Sequence, residues 1–229
     1  MKKRLLWIGP ALGLGLAAVI AAVRKGRMPL PWSAWLPGLV AVHGPEEGSR
    51  LLRQAYADWN TLLAEYPRPL PKPPLRQHLV NNILTGTALY RVLLEVHGGD
   101  RTAALAEIEP LFKAWTHALY GGTMKAFTMV PFSFWFFRIA TKMQLRNFPP
   151  EVWKTSWVED SPRRIAYNTL SCPYVDRLKE YGIPELGPFY CQIDDWMGEM
   201  LPPKIRFQRT QSLARGGTMC DYSFEKKES

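Results

Sequence analysis

The segment RFQRTQSLARGGTMCDYSF, Arg206 to Phe224, sets a cation, Arg209, and a thiol, Cys220, on either side of a Gly-Gly pair in otherwise strand-like sequence. Side chains of a strand alternate between its faces, so Ile205, Phe207, Arg209 and Gln211 share one face. Cys220, Tyr222 and Phe224 share one face of the returning strand. An even connection puts Arg209 and Cys220 on a common apolar face, whereas an odd one brings Asp221 to Arg209 and turns Cys220 away. A guanidinium there is costly unless it meets an anion. Its partner is therefore a carboxylate of the protein, with Asp221, Asp194 and Asp195 the candidates, or an anionic ligand. Structural ion pairs are the commoner occupants of such positions.

Upstream, YCQIDDWM places Cys191 three residues before Asp194 and four before Asp195. On a helix that spacing makes a thiol and a carboxylate neighbours. Such a pair can act as nucleophile and base, or sit at the edge of a core, where a cysteine is ordinarily a small hydrophobe.

These stretches together, NTLSCPYVDRLKEYGIPELGPFYCQIDDW followed by IRFQRTQSLARGGTMCDYSF, resemble the C-terminal half of the L-2-amino-thiazoline-4-carboxylic acid hydrolase family. The shared pattern is a Cys, a G-x-P-E-L step, a Cys three residues before an Asp, and an R-T-Q-(S/T)-L-A-x-G-G-x-x-C-D-(F/Y) ending. NNILTGTALYRVLLEVHGGDRTAALAEI is similar to the family's helical part, so the resemblance runs over roughly residues 50–224. It implies ring-opening hydrolysis of a small five-membered C–N–S substrate, water adding at the amidine-like carbon. On the matching positions, Arg209 would clamp the substrate carboxylate through its planar fork, and Thr210 and Gln211 would add polar hydrogen bonds. Asp194 or Asp221 would serve as general base, or Cys191 or Cys220 would attack covalently if Arg209 lowers its pKa. The alternative, from another class, is a non-catalytic ligand-binding or interaction module that keeps the fold and its Arg/Cys pocket.

The elements that must position these groups follow from periodicity and punctuation. PEEGSRLLRQAYADWNTLLAEY has apolar residues at helical spacing and ends at the proline-rich PRPLPKPP. A second helix is expected from about Leu75 to Val96, and a third from the Asp100 N-cap to before Gly121-Gly122. Lys125 to Met143 reads as a buried or membrane-touching helix. Beyond Pro149-Pro150 the pattern turns to a hairpin around DSP, two short helices, and a second hairpin from Lys204 to Phe224, with Gly216-Gly217 as its tight turn. The fold class is α+β: a helical N-terminal half packed on a small antiparallel sheet of hairpins, preceded by one N-terminal transmembrane helix.

Charge sharpens the partner classes. The net charge of +9 is concentrated in residues 1–42, which hold six Lys/Arg and no acid, leaving 23 Lys/Arg against 20 Asp/Glu elsewhere. Without a basic face on the body, nucleic acid is not an expected partner. Leu5 to Val23 carries no charge and nears the roughly 20 residues that cross a bilayer. Residues 1–28 are therefore expected to be a membrane anchor and 29–44 a Pro/Trp-rich linker at the membrane interface, with 45–229 the hydrolase-like domain. A cleaved signal peptide is the alternative, disfavoured by Arg24, Lys25 and Arg27. The odd number of cysteines, Cys172, Cys191 and Cys220, fits reduced thiols facing the cytoplasm. His43, His78, His97 and His117 show no metal-ligand spacing, so neither metal nor cofactor is expected. The expected partners are a small-molecule substrate and the membrane.

Overall fold

The computed structural model describes residues 31–73, 75–129, 132–146 and 148–227. The expected anchor, residues 1–28, lies outside them. Among the described residues no helix is long and apolar enough to cross a membrane.

The first element corrects the expected linker. Pro29, Pro31, Pro37 and Gly38 argue for a connector over residues 29–44, yet Trp32–His43 is a helix, α1. Trp32, Trp35 and Leu39 lie at helical spacing, and Trp35 and Leu39 are fully buried. Trp35 stacks on Phe112 at 5.8 Å and meets Trp115 edge-on at 6.0 Å, so it belongs to the core and not to a membrane interface. Burying a side chain of that size is worth about 1.5–3 kcal/mol, enough to offset much of the roughly 3 kcal/mol that Pro37 costs a helix interior.

The helices that follow largely match their periodicity. They are α2 (Pro45–Glu65), a π-helical segment Gln77–Leu84 running into α3 (Thr85–Val96), and α4 (Arg101–Thr128). Asp100 caps α4 as expected, its carboxylate accepting from the N–H groups of Thr102 and Ala103. α4 does not stop at Gly121-Gly122 but runs to Thr128, carrying Met124 into the core under the sheet. Two helix-interior glycines cost only about 1 kcal/mol each, which burial of the Met124 side chain helps offset. Glu107 of α4 binds His43 Nε2 at 2.7 Å and His97 Nε2 at 2.8 Å, tying α1 and the end of α3 to α4.

The sheet half contains α5 (Ser133–Leu145), β1 (Thr155–Asp160), β2 (Arg164–Thr169), α6 (Pro173–Glu180), a 3₁₀ turn Pro184–Leu186, α7 (Gly187–Glu199), β3 (Ile205–Gln208) and β4 (Cys220–Lys226). The strands form one antiparallel sheet in the order β1-β2-β4-β3, giving an α+β fold. In that register Tyr167 faces Tyr222, Thr169 faces Cys220 and Phe207 faces Phe224. Ile165, Phe224 and Ile205 are buried on the inner face with Phe134 and Phe137 of α5. A larger core joins α1 to α4 with Leu186, Tyr190 and Trp196 around α7. α7 is thus the seam between helical half and sheet.

Candidate functional site

Phe207 pairs with Phe224, so the even register holds, and odd residues of β3 share a face with even residues of β4. The expected tight turn is absent. The strands separate after Gln208, and residues 209–219 form a broad loop that contains a 3₁₀ turn at Leu213–Arg215. Gly216 ends that turn at φ 83°, a left-handed conformation open to glycine.

Asp221 builds this loop. It lies on the outer face of β4 and accepts hydrogen bonds from Thr210 N at 2.9 Å, Thr210 Oγ1 at 2.5 Å and Gln211 N at 2.8 Å. Partial burial pushes its pKa up, but the Thr210 and Gln211 donors hold it below the ordinary carboxylate value. Gln211 Oε1 in turn accepts from Thr218 N at 3.1 Å and Thr218 Oγ1 at 3.2 Å. Thr210, Gln211 and Asp221 therefore satisfy one another, away from the thiols.

The loop aims Arg209 inward at α7. Its Nη1 donates to Asp194 Oδ2 at 3.1 Å, and its Nη2 donates to Asp195 at 2.8 and 2.7 Å and to the Cys191 carbonyl at 2.9 Å. The side chain is 2% exposed, against 34% for Asp194 and 36% for Asp195. The carboxylates that Arg209 meets are thus the protein's own. Burial works against the guanidinium charge, but Asp194, Tyr222 and Asp195 outweigh it and hold the pKa above the ordinary value.

Asp194 is the focus. The Tyr222 hydroxyl donates to its Oδ2 at 2.9 Å, and Tyr222 stacks on Tyr167, ring centroids 4.9 Å apart. Burial among these groups pushes the Asp194 pKa up to about 6, while Arg209 and Tyr222 pull against it. One third of the side chain stays open to solvent even so.

The thiols adjoin this carboxylate. Cys191 and Cys220 form a hydrogen-bonded pair with opposite shifts. The bond to Cys220, burial and Asp194 raise the Cys191 pKa. The bond from Cys191 lowers that of Cys220, whose Sγ also accepts from Leu213 N at 3.3 Å. Cys220 is the electron-rich member, but it is 3% exposed. Burial keeps Cys172 protonated, pushing its pKa up to about 12.

Cys191 and Asp194 therefore meet as their helical spacing predicts, and the even register, one of the two alternatives, adds Arg209 and Cys220, whereas Thr210, Gln211 and Asp221 do not join them. Tyr222 is the participant that sequence reasoning missed, and its signal was alternation with Cys220 on one strand face. A second set, also missed, flanks the site: Asn82 Nδ2 donates to the Tyr174 hydroxyl at 3.0 Å, and His78 Nδ1 lies 2.8 Å from the same oxygen. The Tyr190 hydroxyl donates to Asn82 O at 2.8 Å across Gly86, where any Cβ would collide with it. Burial holds the His78 imidazole neutral, its pKa pushed down to about 4. His78 and Asn82 both lie in the π-helical segment, a geometry that recurs at functional sites.

Among the described residues no group of three or more His, Cys, Asp or Glu is placed to hold a metal ion. An open groove of about 740 Å³ runs beside the pair of Arg209 and Asp195, lined also by Gly198, Leu201, Phe207 and Thr210. No curated protein and no solved structure matches the chain. A family model does match, over residues 83–224, which is more than half of the chain and spans every residue of the cluster around Asp194. The chain belongs to the L-2-amino-thiazoline-4-carboxylic acid hydrolase family.

Proposed function

We propose that the chain is a hydrolase that opens a small cyclic C–N substrate of the thiazoline carboxylate type by adding water, with Asp194 as general base. The observation that carries this is Asp194 itself, a carboxylate partly open to solvent, fixed by Arg209 and Tyr222, with its pKa near 6. A base works best when its pKa lies just below the operating pH, where it is ionised yet still takes a proton. Asp194 removes a proton from water as the oxygen attacks the amidine-like ring carbon. Asp194 passes that proton to the ring nitrogen. The ring C–S bond then breaks as the new hydroxyl becomes the carbonyl, its proton moving through Asp194 to the departing sulfur, leaving an N-carbamoyl-cysteine.

Direct water attack is favoured over a covalent thioimidate by the state of the thiols. Cys191, the more open one, is held protonated, and Cys220, the better nucleophile, is enclosed. Arg209 acts in this reading through Asp194, setting its direction and charge, because its fork already faces protein carboxylates. The same reading keeps Leu5 to Val23 as a tether that holds the domain at a membrane.

The test is turnover of 2-aminothiazoline-4-carboxylate by the full chain, followed by mass spectrometry. Asp194→Asn should lose roughly 10²–10⁴-fold in rate, the range for removing a general base, with the fold kept. The parent rate should fall about tenfold per pH unit below the Asp194 pKa of about 6. A parent chain that binds the substrate without opening it would leave a ligand-binding module.

A further inference from the structure

The segment 125–146 holds four cations, Lys125, Arg138, Lys142 and Arg146, and no acid. Its helix α5 carries two apolar faces. Phe134, Phe137 and Thr141 turn inward, Phe137 meeting Phe224 at 4.8 Å. Trp135, Ile139 and Met143 recur every four residues on the opposite side and are 53%, 37% and 45% exposed. Phe132, at the start of the helix, is 82% exposed, and Met129 before it is 80% exposed. Phe132 also has φ 62°, a left-handed conformation disfavoured for a bulky residue, so the fold accepts local strain while leaving this ring in water. Scattered exposed apolar residues are ordinary, but a continuous apolar stripe marks a contact surface.

We infer that this stripe is a lipid-binding surface that lays α5 into the headgroup region of an anionic membrane, giving the domain a contact of its own with the bilayer. The charges select that occupant. Arg146 falls on the same helical stripe as Ile139 and Met143, and Lys125 and Arg146 are exposed at the two ends of the segment. Arg138 and Lys142 share the carboxylate of Asp160, Lys142 Nζ at 2.6 Å. Aromatic and aliphatic side chains rimmed by Lys and Arg are the pattern of an interfacial helix: the rings enter the acyl boundary and the cations meet lipid phosphates. This surface involves none of the residues around Asp194, so it stands or falls apart from the hydrolase reading.

The experiment uses the full chain and vesicles of equal parts phosphatidylcholine and phosphatidylglycerol whose acyl chains carry bromine, a contact quencher of tryptophan. The parent chain should be quenched, and Trp135→Phe should lose part of that quenching with an unchanged melt. The other tryptophans are common to both chains, so the difference isolates position 135. Lys125→Glu/Arg146→Glu, and vesicles of phosphatidylcholine alone, should each reduce the same component. Equal quenching of the parent and Trp135→Phe overturns the proposal, as does full quenching by phosphatidylcholine alone. Shielding of Trp135 from aqueous acrylamide before lipid is added also overturns it, because a second copy or residues 1–30 would then cover the stripe.

Discussion

Two arginines on one sheet use the same chemistry in opposite surroundings. Arg164 of β2 faces outward, its side chain 40% exposed, with Glu159 at 3.3 Å and Glu225 at 3.5 Å. Arg209, just past β3, faces inward at 2% exposure and holds Asp194 and Asp195 at 3.1 and 2.7 Å. Each cation has two carboxylates, but only the enclosed set changes what its members can do. Water screens the Arg164 pair, and such pairs contribute about 0–1 kcal/mol. Around Arg209 burial raises the cost of charge, so one carboxylate moves to a pKa of about 6, and the hydrogen bond between the two neighbouring thiols shifts them in opposite directions. The inner set is where the fold prepares chemistry.

The largest expected contrast comes from the same substitution in both. Arg209→Met strands two partly buried carboxylates and should destabilise by roughly 2–4 kcal/mol, somewhat under the range for fully buried pairs because both acids keep a third of their surface in water. Arg164→Met should stay within about 1 kcal/mol. Thermal melts of the two variants check this. Equal shifts would mean that the inner set is as well solvated as the outer one, and the argument for a tuned Asp194 would lose its basis.

How much of this the sequence reveals depends on the range over which each feature is decided. Cys191 and Asp194 are three residues apart on a helix, so local periodicity alone makes them neighbours, whereas Arg209 and Cys220 come to one side only through the even register of β3 and β4, which the sequence leaves open. Asp221 misleads because it neighbours Cys220 in the motif. Alternation sends it to the other face, where it serves the loop backbone. The choice among Asp194, Asp195 and Asp221 as partner for Arg209 was open in the sequence, since it rests on how a loop without regular structure crosses to α7. The misread linker has a similar cause. Local breakers argue against a helix at Trp32–His43, and the contacts that stabilise it through Trp35 lie far along the chain at Phe112 and Trp115. The π-helical segment with His78 and Asn82 leaves no mark that separates it from an ordinary amphipathic helix.

The next contrast lies across β4. Asp221→Asn keeps one acceptor but removes the charge that binds Thr210 and Gln211, and should lower stability by about 1.5–2 kcal/mol, the low end of the range for hydrogen bonds to a charged group. Turnover should fall by less than about tenfold, because Arg209 loses only part of the loop that aims it. A loss as deep as that of Asp194→Asn would instead place Asp221 in the chemistry and dissolve the distinction between the two faces of the strand.

The smallest effect is the most diagnostic, because it moves a pKa and leaves the ion pair in place. Tyr222 donates to Asp194 at 2.9 Å, and its own pKa lies far above the ordinary value through burial, so it remains a donor at every pH of interest. That bond favours the ionised form of Asp194 and pulls its pKa down against burial. Tyr222→Phe removes the donor, so the Asp194 pKa should rise above about 6 and the acid limb of the rate profile should move to higher pH. The shift should be under about one pH unit, since a single hydrogen bond contributes about 0.5–1.5 kcal/mol and a pH unit corresponds to about 1.4 kcal/mol. The stability linkage has a fixed sign. The folded pKa of Asp194 exceeds its unfolded value near 4, so between the two the native state binds the extra proton and this group adds stability as pH falls. Tyr222→Phe should widen that window upward, and Asp194→Asn should abolish it. Melts and rates recorded together across pH 4 to pH 8 separate this from simple loosening of the Tyr167 stack, which would lower the rate equally at every pH. An acid limb that stays in place in Tyr222→Phe, with turnover otherwise intact, would show that Asp194 is not the group whose ionisation controls the reaction.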